Sequence, residues 1–427
     1  MADGAPPAAA AVAPPWPLRT KLGPVPLSPR TVSLLAVGLA ILGSVLIVAG
    51  PINHWQDWGV IWSAGVHAGT RDLVDITRHG NWQIAHGLPP AFFSYPPAVA
   101  YLIWPFARLP VDVSYWIQAA LMLGCIVASG RLAASIFGLS PAVGILAALA
   151  WAPNTASVAT GQNAPLALLL ALVTIWALKE ERPWLAGFAA GLMLYKPTLG
   201  LPLMGLFLIR GHWRELAVML VAAAAIYLVS VPAAGGDWNW LALWIDGAKT
   251  ALPADAVANA DKSITLPGLL ARLPVPWIVP TAAGGAIVLA ALPGLRRAGI
   301  VEAAAAACLL GVAAGPRAWG YDAALVFPFV CWVLAGGVGE PWRTRLIVVA
   351  YLLGPSWMVS LYLGLNGIAV LVLGASLLWI WRWRPSFRRG RGEHPSAAPG
   401  RPIELAAEPA GARGGAPRAE AAGAPRD

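Results

Sequence analysis

A lysine in the middle of an apolar run constrains this chain more than any other residue. Pro183 to Arg210 is almost uninterrupted apolar sequence, yet Lys196 sits near its centre and Pro197 follows at once. One continuous helix over that run would be roughly 42 Å long at 1.5 Å per residue. It would carry Arg182 and Arg210 to opposite faces of a membrane, with Lys179 and Arg214 adding to the conflict. Cytoplasmic loops collect Lys and Arg, so both clusters belong on one side. A break at Lys196-Pro197 resolves this, because two arms of about 19 Å each then rise and return within a hydrocarbon core about 30 Å thick. The tip ends inside the membrane, in a protein-lined cavity open to the far side, where irregular backbone is tolerated. An ammonium there is costly unless it meets an anion, and a lysine at membrane depth is a functional residue by default. The plain alternatives are a lysine that snorkels to the interface and a proline kink in one long helix.

The rest of the sequence supports a membrane setting. Of 427 residues, 58% are hydrophobic and 11% charged, which places the chain among all-α polytopic membrane proteins and outside the soluble range. The formal charge of +9 does not argue for nucleic acid, since the basic residues flank apolar segments. Arg382, Arg384, Arg388, Arg389 and Arg391 form a juxtamembrane cluster suited to anionic lipid. Cys125, Cys308 and Cys331 lie in separate apolar stretches and suggest neither disulfides nor a metal cluster. Several of the 22 Trp fall at span ends, as interfacial belts require.

Residues 1–30 read as a cytoplasmic tail without the regions of a signal peptide, and 31–50 as an uncleaved signal anchor. Residues 51–111 form a first external segment, in which Pro96–Leu109 is too short for a span and reads as interfacial. Further spans are expected at 112–131, 141–158, 162–178, the short pair 183–195 and 197–210, and 214–232. After a second external segment, 233–274, come 275–294, 299–315, 321–338, 343–363 and 366–382. That makes about twelve spans in one domain, 31–383, with both termini cytoplasmic in the cell membrane. The Ala/Pro/Gly/Arg-rich tail, 384–427, cannot bury a core. No internal repeat marks two related halves.

In this topology the external polar groups converge. Asp57 follows the first span directly and is held close to the membrane surface, where partial burial would raise its pKa toward that of a useful general base. It also reads as an interfacial Asp or the N-cap of a helix over 58–69. Tyr95-Pro96-Pro97 fixes an extended approach to the interfacial helix, with Tyr95 as a hydrogen-bonding group or as part of simple punctuation. Gln162 and Asn163 stand at an outer tip, where amides bind sugar hydroxyls or cap the next helix. Arg317 offers a forked cation for phosphate, and Asp322 is a candidate to pair with it, for function or for structure alone. Asp237-Trp-Asn-Trp with Trp244 reads as an interfacial amphipathic helix, and Asn259–Ser263 as a loop with a modest claim on substrate. A lipid-linked phosphosugar fits this pattern: phosphate at Lys196 and Arg317, tail among the helices, sugar facing Asp57.

In order, these motifs are Asp57, Tyr95-Pro96-Pro97, Gly161-Gln162-Asn163, Ala186-Gly187 with Lys196-Pro197, and Pro316-Arg317-Ala318-Trp319 with Tyr321-Asp322. Together they resemble glycosyltransferase family 87 over about residues 31–380. Members are integral-membrane GT-C enzymes, among them polyprenol-phosphate-mannose-dependent α-mannosyltransferases. The resemblance implies a GT-C-like bundle, a polyprenyl-phosphate-hexose donor, a lipid or glycan acceptor, a general-base Asp mapping to Asp57, and inversion at the anomeric carbon. It leads us to expect Tyr95, Gln162, Asn163 and Asp322 at the substrate. Some relatives carry His in place of Arg317. The external acids form no DxD pair, so neither a metal nor another cofactor is expected. A lipid-linked-sugar flippase would also need a cavity and an intramembrane cation, but would not need an acid at the reactive carbon.

Overall fold

The computed structural model of the protein describes residues 38, 56–259, 262–339, 342–353 and 367–383. The expected first span, 31–50, lies outside these residues apart from Gly38, as do both tails and the later part of 343–363. The described residues all fall in one unit ending at Arg384. They are helical throughout, with no strand among them.

The segment expected outside contributes α1 (Gln56–Val66), α2 (Ile76–Ala85) and α3 (Ala98–Ile103). Only six residues long, α3 is followed by a three-residue 3-10 turn, so Pro96–Leu109 makes no span. Next comes α4 (Val111–Phe137), longer at both ends than its expected 112–131. The expected 141–158 span is instead two pieces, α5 (Pro141–Ala150) and α6 (Ala152–Thr160), bent by 56°. The bend falls at Trp151, whose ψ of 101° leaves the helix, while Pro153 sits in the first turn of α6, where a missing N–H costs nothing. Then come α7 (Ala164–Lys179), α8 (Pro183–Leu192) with a 3-10 turn to Tyr195, α9 (Pro197–Arg210) and α10 (Trp213–Ala233). The remainder comprises α11 (Trp240–Ala258), α12 (Leu266–Leu270), α13 (Ile278–Arg297) and α14 (Ile300–Ala314). A 3-10 stretch, Gly320–Val326, leads into α15 (Phe327–Trp332), followed by α16 (Trp342–Leu353) and α17 (Gly367–Arg382). Among the described residues four helices are long and apolar enough to cross a membrane, or five if the bent pair is one span. The other apolar helices run to 10–17 residues, so fewer elements than the expected twelve are of full crossing length.

The break in the lysine-bearing run is present. Pro197 bars its predecessor from the helical region, and Lys196 accordingly has φ −129° and ψ 86°. Neighbours show that the chain turns back there. Gly187 lies against Glu215 and Val218, and Gly191 against Met219 and Ala222. Hence α8 and α10 run side by side in the same direction, and α9, which joins them, returns in the opposite direction against α14. This places Arg182 and Arg210 at one end of the bundle.

Lys179 joins them, and carbonyls at helix ends hold both Lys179 and Arg210 there. Lys179 donates to the carbonyls of Ser135 and Ile136 at the end of α4 (3.3 and 2.9 Å). Arg210 donates to Leu295 and Ala298 at the end of α13 (2.9 and 2.8 Å). Each cation meets the carbonyls that a helix C-terminus leaves unsatisfied. At the same end Glu302 accepts from the indoles of Trp379 and Trp383, both at 3.1 Å, tying α14 to α17. The centre of the bundle is α14, with Ala303 to Ala307 buried in succession. Small side chains let neighbouring backbones close in where apolar driving force between helices is weak. Gly311 continues this, lying directly under the ring of Pro202 from α9.

Candidate active site

The opposite end of the bundle gathers the polar residues. Asp57 lies within the first turn of α1, where exposed N–H groups favour a carboxylate, and not ahead of the helix as an N-cap. Its Oδ2 accepts a hydrogen bond from Gln162 Nε2 at 2.9 Å. Burial pushes the Asp57 carboxyl above the usual carboxylate range; the Gln162 bond and the charges of Lys262, Lys196 and Arg317 pull the other way.

Besides its bond to Asp57, Gln162 has its Oε1 facing the Tyr95 hydroxyl at 3.3 Å. That hydroxyl also faces Asn163 Oδ1 at 3.3 Å. Asn163 stands at the N-cap position of α7, but its side chain makes no capping bond. The Tyr195 hydroxyl donates to the Asn163 carbonyl at 3.0 Å. Tyr95 and Tyr195 are stacked, with ring centres 6.1 Å apart and planes within 9°. A continuous polar line thus runs from Asp57 through Gln162, Tyr95 and Asn163 to Tyr195, the residue before Lys196.

The anion that meets Lys196 comes from the chain itself. Its Nζ lies 2.6 Å from Asp322 Oδ1, with both side chains largely buried. The second Asp322 oxygen accepts from the Trp319 backbone N–H at 3.0 Å. The sequence alone also makes Arg317 a candidate partner of Asp322. Two features favour Lys196: the hairpin brings it to the 3-10 stretch, and the Tyr321 ring flanks its ammonium at 5.2 Å. Arg317 lies over the Trp319 ring at 4.3 Å. Residues 263 and 264 join this loop through a Ser263–Trp319 bridge and an Ile264 N–H bond to the Ala318 carbonyl, 3.1 Å. That connection sets the neighbouring Lys262 within electrostatic reach of Asp57.

All seven expected site residues therefore stand at one end, where two carboxylates and three cations gather. Among sequence families, the model of glycosyltransferase family 87 matches residues 92–316, more than half of the chain. The chain belongs to glycosyltransferase family 87. No curated protein matches it significantly. The matched region holds Tyr95, Gln162, Asn163 and Lys196; Asp57 precedes it, and Arg317 and Asp322 follow it. Family and apolar helices together make this a membrane glycosyltransferase.

The candidate site also holds Tyr195, whose only signal in the sequence is its place beside Lys196-Pro197. Tyr321 belongs to the Tyr321-Asp322 motif and Lys262 to the 259–263 loop, but what brings Lys262 near Asp57 is the long-range bridge to Trp319. Beside the hairpin tip an apolar groove of roughly 230 Å³ runs past Pro96, Leu194, Pro197, Tyr227, Trp240 and Trp244. Among the described residues no group of three or more His, Cys, Asp or Glu is placed to hold a metal ion.

Gly161 makes the turn that presents Gln162. Its φ is +76°, and an added Cβ would press on Trp58, the neighbour of Asp57. Gly161→Ala is therefore expected to cost about 1–3 kcal/mol of stability through left-handed strain. Thermal unfolding of the purified transferase measures it, and an unchanged midpoint would contradict the strain.

Proposed function

We propose that this glycosyltransferase moves a hexose, mannose first among the candidates, from a polyprenyl-phosphate donor to an extracytoplasmic lipid or glycan acceptor, with inversion. The observation that supports this reading is the short distance, in side chains, between a desolvated acid and a buried cation: Asp57, Gln162, Tyr95, Asn163, Tyr195, then Lys196.

Asp57 accepts the proton of the acceptor hydroxyl as its oxygen attacks the anomeric carbon. The bond from that carbon to the phosphate oxygen breaks, and polyprenyl phosphate leaves as an anion that needs no general acid. Lys196 and Arg317 receive its charge, with the phosphate taking over the place that Asp322 holds at Lys196. The groove beside Pro96 and Pro197 suits the first isoprene units, being apolar and adjacent to Lys196. Tyr95 and Asn163 then border the sugar, while Gln162 steadies the base.

The orientation that belongs to this reading has about twelve spans, both termini and the basic end in the cytoplasm, and the site outside the cell membrane. The clustering of Lys179, Arg182 and Arg210 at the end away from Asp57 supports it. In a background free of Cys125, Cys308 and Cys331, single cysteines at positions 57 and 317 should label from outside, and those at 131, 182, 210 and 345 from inside. Labelling of 57 or 317 from the cytoplasm would overturn the site. The donor is tested by supplying membranes with labelled polyprenyl-phosphate sugars one at a time; transfer from none of them would refute the proposed chemistry.

A further inference from the structure

α4 is an apolar helix with an unexpected polar face. Ser114, Tyr115 and Gln118 are all buried on it, and successive turns place them together. Between them they reach the two pieces of chain that carry Asp57 and Gln162. Ser114 Oγ accepts from the indole N–H of Trp58, next to Asp57, at 2.8 Å. The Tyr115 hydroxyl faces the carbonyls of Val158 and Ala159 at the end of α6 (3.1 and 3.3 Å). Gln118 Nε2 donates to the carbonyls of Gln162 and Gly161 (3.0 and 3.4 Å). The Gln118 amide has one orientation, since turning it over would set its oxygen against two carbonyl oxygens. Its Oε1 is left buried without a hydrogen-bond partner. Burying an amide is costly, and the two donor bonds to the 161–162 turn offset part of that cost.

We propose that Ser114, Tyr115 and Gln118 are positioning residues that together fix the register between Asp57 and Gln162, and so set the ionisation of the catalytic base. The inference rests on the reading of Asp57 as that base. One rigid helix holds α1 through Trp58 and the 161–162 turn through Gln118, and so braces the 2.9 Å bond between Asp57 and Gln162 alongside the direct packing of Gly161 on Trp58. The groups that face Asp57 are Gln162 on the turn, Lys196 on the hairpin, Lys262 on the second external segment, and Arg317 and Tyr321 on the 315–322 loop. Tyr95 faces it from the chain ahead of α3. Of these, the Gln162 bond is the one whose two ends α4 holds directly. Loosening it removes a contact that favours the carboxylate, which moves the acidic limb of activity to higher pH.

The test uses the full-length enzyme in proteoliposomes containing the host's total membrane lipid as the acceptor pool. The donor is labelled polyprenyl-phosphate mannose, or whichever polyprenyl-phosphate sugar the membrane screen finds active. Gln118→Met keeps the length and loses the donors; Ser114→Ala frees Trp58 from the other side. Each is expected to lower kcat by about 10-fold to 10²-fold, the cost of a small misplacement of reacting groups. Donor KM should stay within about twofold, and the acidic limb should rise by about half a pH unit or more as a bond to the charged form is lost. If Gln118→Met does not fold, Ser114→Ala carries the test alone. Folded variants with an unmoved limb, or with a changed donor KM at normal kcat, would overturn the positioning role. The reading of Asp57 fails separately: its sign is an acidic limb that persists in Asp57→Asn.

Discussion

Asp57→Asn is expected to lower kcat by about 10²–10⁴, the usual contribution of a general base. The amide keeps the size of the carboxylate and can still bond to Gln162 after a flip, but it cannot take a proton from the acceptor hydroxyl. Donor KM should change little, because the phosphate is held by other groups. The pH profile carries the sharper sign. A general base works only when deprotonated, so activity falls as pH drops through its pKa. Burial holds the Asp57 carboxyl above the ordinary carboxylate range, so the limb should lie at a higher pH than an exposed aspartate would give. In Asp57→Asn that limb should vanish. Near-normal turnover with weakened donor binding would instead make Asp57 a binding group and exclude this mechanism.

Lys196→Ala should raise the donor KM by about 10-fold to 10²-fold, since a charge-assisted contact to phosphate is worth about 1.5–3 kcal/mol. A second effect follows from the pair with Asp322. Removing one partner of a buried ion pair costs about 3–5 kcal/mol, because the other charge is stranded. The two effects separate in a double variant. Adding Asp322→Asn should restore much of the lost stability while leaving donor binding weak. Asn keeps an oxygen for the Trp319 N–H, so the loop need not rearrange. Lys196→Arg should rescue only in part, because a guanidinium is wider than the ammonium this tip encloses. A well-folded double variant with wild-type donor KM would refute the phosphate role.

What was legible in the sequence was mostly local or governed by charge. The break at Lys196 follows from the residue after it, because proline restricts its predecessor wherever it occurs. The shared end of Arg182 and Arg210 follows from their separation along an apolar run too long for one crossing. Pairing across long separations was not legible. Lys196 and Asp322 lie 126 positions apart, and nothing in the chain near Asp322 distinguishes Lys196 from Arg317 as its partner. The bond from Gln162 to Asp57 was hidden in the same way, since it spans 105 positions. The bend at Trp151 was missed for a related reason. Length and hydropathy see one span there, whereas the indole is drawn to a carbonyl, that of Ala323, 172 positions away. The polar face of α4 was likewise hidden, since three polar residues among many apolar ones do not disturb a hydropathy average.

Arms of ten and fourteen residues also bear on how the chain is synthesised. Neither arm is long enough to cross hydrocarbon alone, so neither is a stable stopping point for a chain leaving the ribosome. One surface that receives α8, on α7, is made before the hairpin, but the other, met through Gly187 and Gly191, belongs to α10. In the proposed orientation the hairpin is therefore flanked on both sides only when about residue 222 has emerged. The carboxylate that pairs with the lysine at its tip is then still about a hundred residues from being translated.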